Sequence, residues 1–251
     1  MRKPYLAGNW KMNLERSSAL ALASAVKEHL GDRTDVDCGI APPYVYLPEI
    51  AALLADSPVK VGAQDVCDQA QGAFTGEVSA RMLADVGCDF VLVGHSERRH
   101  VYGEGDELAG SKVARALEAG LEVILCVGET IEERRAGRTE EVIRRHLTAG
   151  LAEVERADMA RVTIAYEPVW AIGTGLNATP EQAGEVHQYL RGLLGGLYDE
   201  TVAAATRIQY GGSVKPDNVR ELMAVPDVDG ALVGGASLKP DLFLPILDFA
   251  R

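Results

Sequence analysis

Several residues in this sequence have types suited to chemistry on a small anion. Asn9-Trp10-Lys11 sets an amide beside a cation, His95 and Glu97 set an imidazole beside a carboxylate, and Glu167-Pro168 supplies a second carboxylate. Gly211-Gly212-Ser213 and Gly234-Gly235 are glycine-rich turns. These are the parts of a general acid–base site with an anion cradle. A carboxylate or imidazole within hydrogen-bond reach of a reacting atom moves its proton, and an ammonium or amide stabilises an oxygen that gains charge. Glycine turns let backbone N–H groups approach a phosphate closely. Taken singly, each has a plainer reading as a structural histidine, a solvated lysine or a simple turn. Their joint occurrence carries weight if the fold gathers them.

The elements that must do so alternate along the chain. Short runs rich in Val, Ile and Leu end in Gly, Pro or a polar residue and are followed by stretches of helical period. Strands are expected over 5–9, 37–41, 59–63, 90–94, 122–127, 162–166, 207–210 and 230–233, and helices near 17–29, 44–54, 79–86, 106–119, 131–154, 180–197, 215–223 and 240–249. Thr130 with Glu133 and Thr179 with Gln182 fit capping boxes, and Pro180 and Pro216 suit a first helical turn. The strand runs are apolar on both faces, as a parallel sheet covered by helices requires. The expectation is an α/β protein, a single-domain (β/α)8 barrel over residues 1–251 with eight parallel strands and eight outer helices. An open doubly wound sheet is the alternative, because periodicity does not report closure. In both architectures ligands bind beyond the carboxyl ends of the strands. The candidate residues fall at such ends, and a closed barrel would bring them to one rim.

Composition excludes other classes. With 25 Lys and Arg against 37 Asp and Glu, the net charge is −12, which repels nucleic acid in the absence of a basic stripe. There is no apolar run long enough to span a membrane, and Met1-Arg2-Lys3 leads into Pro4 and Gly8 rather than a signal-peptide core, so a cytoplasmic address is expected. Cys38, Cys67, Cys88 and Cys126 lie far apart and read as reduced core thiols. An anionic ligand then needs a local positive site, which Lys11 and helix N-termini supply. Gly173-Thr174-Gly175-Leu176-Asn177-Ala178 matches a dinucleotide-binding pattern but begins several residues beyond its strand, too far for a tight strand-to-helix turn. His95 and His100 lack the partners of a metal site, so no metal is expected.

Six motifs in order resemble the triosephosphate isomerase family across essentially the whole chain. They are Gly8-Asn9-Trp10-Lys11-Met12-Asn13, Gly72-Ala73-Phe74-Thr75-Gly76-Glu77, Val93-Gly94-His95-Ser96-Glu97-Arg98-Arg99, the run from Ala165-Tyr166-Glu167-Pro168 through Gly175, Tyr210-Gly211-Gly212-Ser213-Val214, and Val233-Gly234-Gly235-Ala236-Ser237. The resemblance implies interconversion of dihydroxyacetone phosphate and D-glyceraldehyde 3-phosphate through an enediolate, without a cofactor. It implies Glu167 as the base that moves a proton between neighbouring carbons, its basicity raised when closure strips away water. It implies a neutral His95 that polarises the carbonyl, Lys11 and Asn9 as the cradle for the enediolate oxygens, and Glu97 behind them. The phosphate would meet backbone N–H groups at Gly173, Ser213, Gly234 and Gly235.

The family also implies a lid made of Pro168, Val169, Trp170, Ala171, Ile172, Gly173, Thr174, Gly175, Leu176, Asn177 and Ala178, which excludes water so that the intermediate keeps its phosphate. Here Leu176-Asn177-Ala178 stands where the family usually has Lys-Thr-Ala, which bears on the rate of lid opening rather than on the chemistry. Residues 64–77 make a long loop, and the resemblance implies that Phe74, Thr75 and Gly76 dock into a second subunit of a homodimer beside Asn9 and His95. Two competing functions are a Schiff-base aldolase, which needs a desolvated lysine deep on a strand where this chain has Glu167, and a catalytically silent phosphate-binding protein.

Overall fold

The structure, a computed structural model, describes residues 2–172 and 178–250. Eight parallel strands, β1 (Tyr5–Asn9), β2 (Asp37–Ala41), β3 (Val59–Ala63), β4 (Phe90–Val93), β5 (Glu122–Val127), β6 (Val162–Tyr166), β7 (Arg207–Tyr210) and β8 (Gly230–Val233), pair in chain order. β8 returns to β1, with Tyr5 opposite Gly230, and closes the barrel. Closure disposes of the open-sheet alternative. The strands keep their expected bounds except β4, which stops one residue early because Gly94 turns away at φ 69°.

Burial explains why these runs become strands. All but four strand residues are buried, and the exceptions, Asp37, Lys60, Glu122 and Arg207, pair with one another. Lys60 meets Glu122 and Arg207 meets Asp37, each at 2.6 Å. These charges lie towards the amino ends of their strands, which leaves the opposite rim for chemistry. Inside the barrel pack Tyr5, Ala7, Ala41, Phe90, Leu92, Ile124, Cys126, Ala165 and Leu232. A larger apolar layer fills the space between strands and helices. Each large side chain buried in these layers contributes roughly 1.5–3 kcal/mol. All four cysteines are buried and free.

The outer layer comprises α1 (Arg16–Leu30), α2 (Leu47–Leu54), α3 (Ala80–Asp85), α4 (Ser96–His100), α5 (Asp106–Glu118), α6 (Ile131–Arg135), α7 (Thr139–Gly150), α8 (Pro180–Leu197), α9 (Glu200–Ala205), α10 (Val219–Met223) and α11 (Pro240–Leu247). Both capping boxes form, and Pro180 opens α8. Three details differ from the sequence reading. The helix expected over 131–154 breaks at Gly137, whose φ of 68° no right-handed helix accepts, so α6 and α7 are separate. Pro216 lies in a turn before α10, held by the Lys215 N–H donating to Asn218 Oδ1 at 2.8 Å. α9 was not expected, and Asp199 caps it by accepting from the Val202 N–H at 2.9 Å.

α8 also buries His187 edge-on against the Tyr166 ring, with Nδ1 3.0 Å from the Asp227 carbonyl. Burial pushes this imidazole down from 6.5 to about 4. Below pH 6.5 the unfolded chain takes up a proton that the folded chain refuses, so stability falls with pH, by roughly 1–2 kcal/mol at pH 5. Urea midpoints at pH 7 and 5 should therefore converge in a His187→Gln variant relative to the parent. An unchanged pH dependence in the variant would contradict this assignment.

Candidate active site

At the carboxyl ends of the strands opens a cavity of about 680 Å³. Asn9 and Lys11 enter it from the end of β1, His95 from β4, Glu167 from β6, Gly211, Gly212 and Ser213 from β7, and Gly234 and Gly235 from β8. Trp10, Ile172, Leu232, Leu238 and Leu242 give it apolar walls. The closed sheet thus brings to one pocket residues drawn from nearly the whole length of the chain. Glu97 does not line the cavity, but its Oε1 accepts from Lys11 Nζ at 2.6 Å.

Glu167 is 2% exposed, and both carboxylate oxygens are engaged. Oε1 lies 3.0 Å from His95 Nε2, and Oε2 accepts from the Ser96 N–H at 2.9 Å. On the other side of the imidazole, the Glu97 N–H donates to Nδ1 at 3.2 Å. A nitrogen that accepts a backbone N–H holds no proton, so the proton of the ring sits on Nε2 and points at Glu167. The first turn of α4 therefore fixes the tautomer of His95 and one oxygen of Glu167 together. Burial pushes the Glu167 carboxyl up, but His95, the Ser96 N–H and the nearby Lys11 more than offset this and hold it below the usual range. The rise in basicity that the sequence reading attached to closure concerns the water-free state and not this resting one. The difference arises because the carboxylate rests against two donors rather than in a bare apolar pocket.

Lys11 sits between the two halves of the site. Its ammonium pairs with Glu97, and its Cε would lie 3.5 Å from a methyl group added at Gly234, beside the glycine turn. A short 3₁₀ turn, Gly235–Leu238, begins there, and Gly234 and Gly235 line the cavity. With Ser213 and Lys11 this end suits a phosphate.

Of the segment that the resemblance reads as a lid, residues 168–172 and 178 are described. Pro168 leads into a 3₁₀ turn, Val169–Ala171, held at its base by Glu129. Glu129 Oε1 accepts from Tyr166 Oη, Trp170 Nε1 and Arg134 Nη1 at 3.1, 2.9 and 3.0 Å. Gly173, Thr174, Gly175, Leu176 and Asn177 lie outside the described residues. Phe74, Thr75 and Gly76 do not reach the cavity of this chain. They stand exposed at the tip of a loop whose base is pinched by the Cys67 N–H donating to the Val78 carbonyl at 2.9 Å.

Sequence reasoning missed Gly128, Gly211 as a spacing residue, and Gln64. A Cβ at Gly128 would overlap the Glu167 carbonyl, and one at Gly211 would come within 2.8 Å of Glu167 Cγ. The only signal was that each glycine follows an apolar strand run. Gln64 lies just past β3, where nothing in its type or spacing set it apart.

A closed eight-stranded barrel with a buried carboxylate–imidazole pair and a glycine-lined anion end at one rim defines a proton-transferring, phosphate-binding barrel enzyme. Comparison with known proteins narrows the class. A family description, triosephosphate isomerase, matches residues 4–250. The chain is 51% identical to the triosephosphate isomerase of Chloroflexus aurantiacus over 249 residues, covering 99% of this chain and all of that protein. It is 52% identical to that of a Roseiflexus species over 99% of this chain and 98% of the relative, and 47% identical to that of Chloroherpeton thalassium over the full length of both. The chain belongs to the triosephosphate isomerase family.

The backbone approach at Gly128 is testable. Gly128→Ala should displace the Glu167 main chain and lower kcat by about a hundredfold, since a displacement near 1 Å costs that much. Circular dichroism checks that the barrel persists. A folded variant within threefold of the parent would show that the approach is not needed.

Proposed function

We infer that this chain interconverts dihydroxyacetone phosphate and D-glyceraldehyde 3-phosphate by moving protons through an enediolate, as a step of glycolysis and gluconeogenesis. The reaction is redox-neutral and is written with no metal or cofactor. The observation that carries the reading is the 3.0 Å contact between His95 Nε2 and Glu167 Oε1 in the cavity that also holds Lys11.

In this reading Glu167 takes a proton from the carbon beside the carbonyl and returns it to the neighbouring carbon. The Nε2–H of His95 turns from the carboxylate to the substrate oxygen and shuttles hydroxyl protons. Lys11 and Asn9 stabilise the oxygens as their charge grows. Glu97 steadies the Lys11 ammonium from outside the cavity. N–H groups at Gly173, Ser213, Gly234 and Gly235 hold the phosphate. When Glu167 leaves its two donors it loses what keeps its pKa low, so its proton affinity rises as it reaches the substrate. Closure of the lid from Pro168 to Ala178 removes water and strengthens the same effect.

The functional unit in this reading is a homodimer in the cytoplasm. The exposed loop tip supports the dimer, because Phe74 is 45% exposed, and so does Met12 beside Lys11, 93% exposed in the single chain. A partner loop laid over these residues would shield Lys11 and raise its electrostatic effect.

A coupled assay with glyceraldehyde phosphate tests the chemistry. Glu167→Gln keeps the shape but removes the base, and kcat should fall by at least about a hundredfold. No turnover by the parent would leave a silent phosphate-binding protein as the better reading, and a variant within threefold of an active parent would remove Glu167 as the base. For the dimer, Thr75→Arg should halve the mass in solution and depress activity together. Unchanged mass with full activity would refute loop docking.

A further inference from the structure

Lys11 occupies the left-handed region at φ 52°, which a residue with a side chain adopts only when its surroundings hold it there. Two amide side chains grip its backbone. Asn9 Oδ1 accepts the Lys11 N–H at 2.9 Å. From the other side, Gln64 Nε2 donates both of its hydrogens, one to the Lys11 carbonyl and one to the Ala41 carbonyl, each at 2.8 Å. Ala41 is the last residue of β2, and its carbonyl also accepts the Trp10 N–H at 3.1 Å. One side chain just past β3 therefore ties the ends of β2 and β1 and clamps the strained peptide from which the ammonium departs.

Gln64 does not line the cavity. Its position still decides where the Lys11 side chain begins, because a left-handed residue that relaxes to an ordinary conformation swings its Cβ away from the pocket. Both N–H groups of the amide are used on carbonyls, so only a side chain with two donors on one nitrogen in this geometry does the same.

We propose that Gln64 is a positioning residue for the isomerisation: it holds Lys11 in its left-handed conformation and so sets the place of the ammonium over the substrate oxygens. The proposal rests on the role given to Lys11 above. It predicts that the benefit of Gln64 is delivered through the Lys11 ammonium and vanishes when the ammonium is absent.

A double-mutant cycle of Gln64→Leu and Lys11→Met, read as kcat/KM for glyceraldehyde phosphate with melting temperature alongside, tests this. Gln64→Leu alone should lower kcat/KM by between about tenfold and a hundredfold. In the Lys11→Met protein, assayed at raised enzyme concentration, the same change should cost less than threefold. Equal losses in both backgrounds, or no loss in the parent, would overturn the proposal. Gln64→Met replaces the leucine variant if that does not fold, and if neither folds the amide is structural and the proposal falls. Full activity in Lys11→Met alone would instead remove the role given to Lys11, which separates the two failures.

Discussion

The structure depends on keeping one carboxylate, that of Glu167, buried and charged at the end of β6 in a protein of net charge −12. A buried carboxylate without donors becomes protonated and useless as a base. The first turn of α4 prevents this. Ser96 gives one oxygen a backbone N–H, and Glu97 gives its N–H to the far side of His95, which turns the proton of the ring towards the other oxygen. Two consecutive peptide groups thus set the charge of the carboxylate and the tautomer of the imidazole. These donors keep Glu167 ionised at rest.

The barrel makes this arrangement possible because a closed parallel sheet points every strand end to one rim. Close contacts at that rim are made by glycines. Gly128 lets the main chain at Glu167 lie against β5, and Gly211 leaves room for its side chain against β7. The opposite rim carries the Lys60–Glu122 and Arg207–Asp37 pairs, so charge used for stability is kept apart from charge used for chemistry. Lys11 is the cation of the site, and its strained backbone shows that its placement is held against a local preference.

How much of this was legible in the sequence follows from the range of the forces involved. β1 and β6 could be read because a strand buried on both faces is a continuous apolar run bounded by polar residues. The start of α8 could be read because Thr179, Pro180 and Gln182 act on their immediate neighbours. The break at Gly137 was hidden because a glycine within a helical period does not announce a left-handed turn, and α9 was hidden by its brevity. Asn9, Lys11, His95 and Glu167 stood out by chemical type at strand ends. Gly128 and Gln64 act only through contacts between distant segments, and no local pattern reports those. The resting state of Glu167 was not legible for the same reason, since the Ser96 N–H that it accepts lies 71 residues away.

The central claim is the orientation of the His95 proton. Proton–nitrogen couplings of nitrogen-15 labelled His95 in the ligand-free protein, recorded at about pH 7.5, read it directly. The account predicts a ring protonated at Nε2 and bare at Nδ1, with the Nε2 proton shifted when Glu167 is replaced by glutamine. A ring protonated at Nδ1, or at both nitrogens, would contradict it.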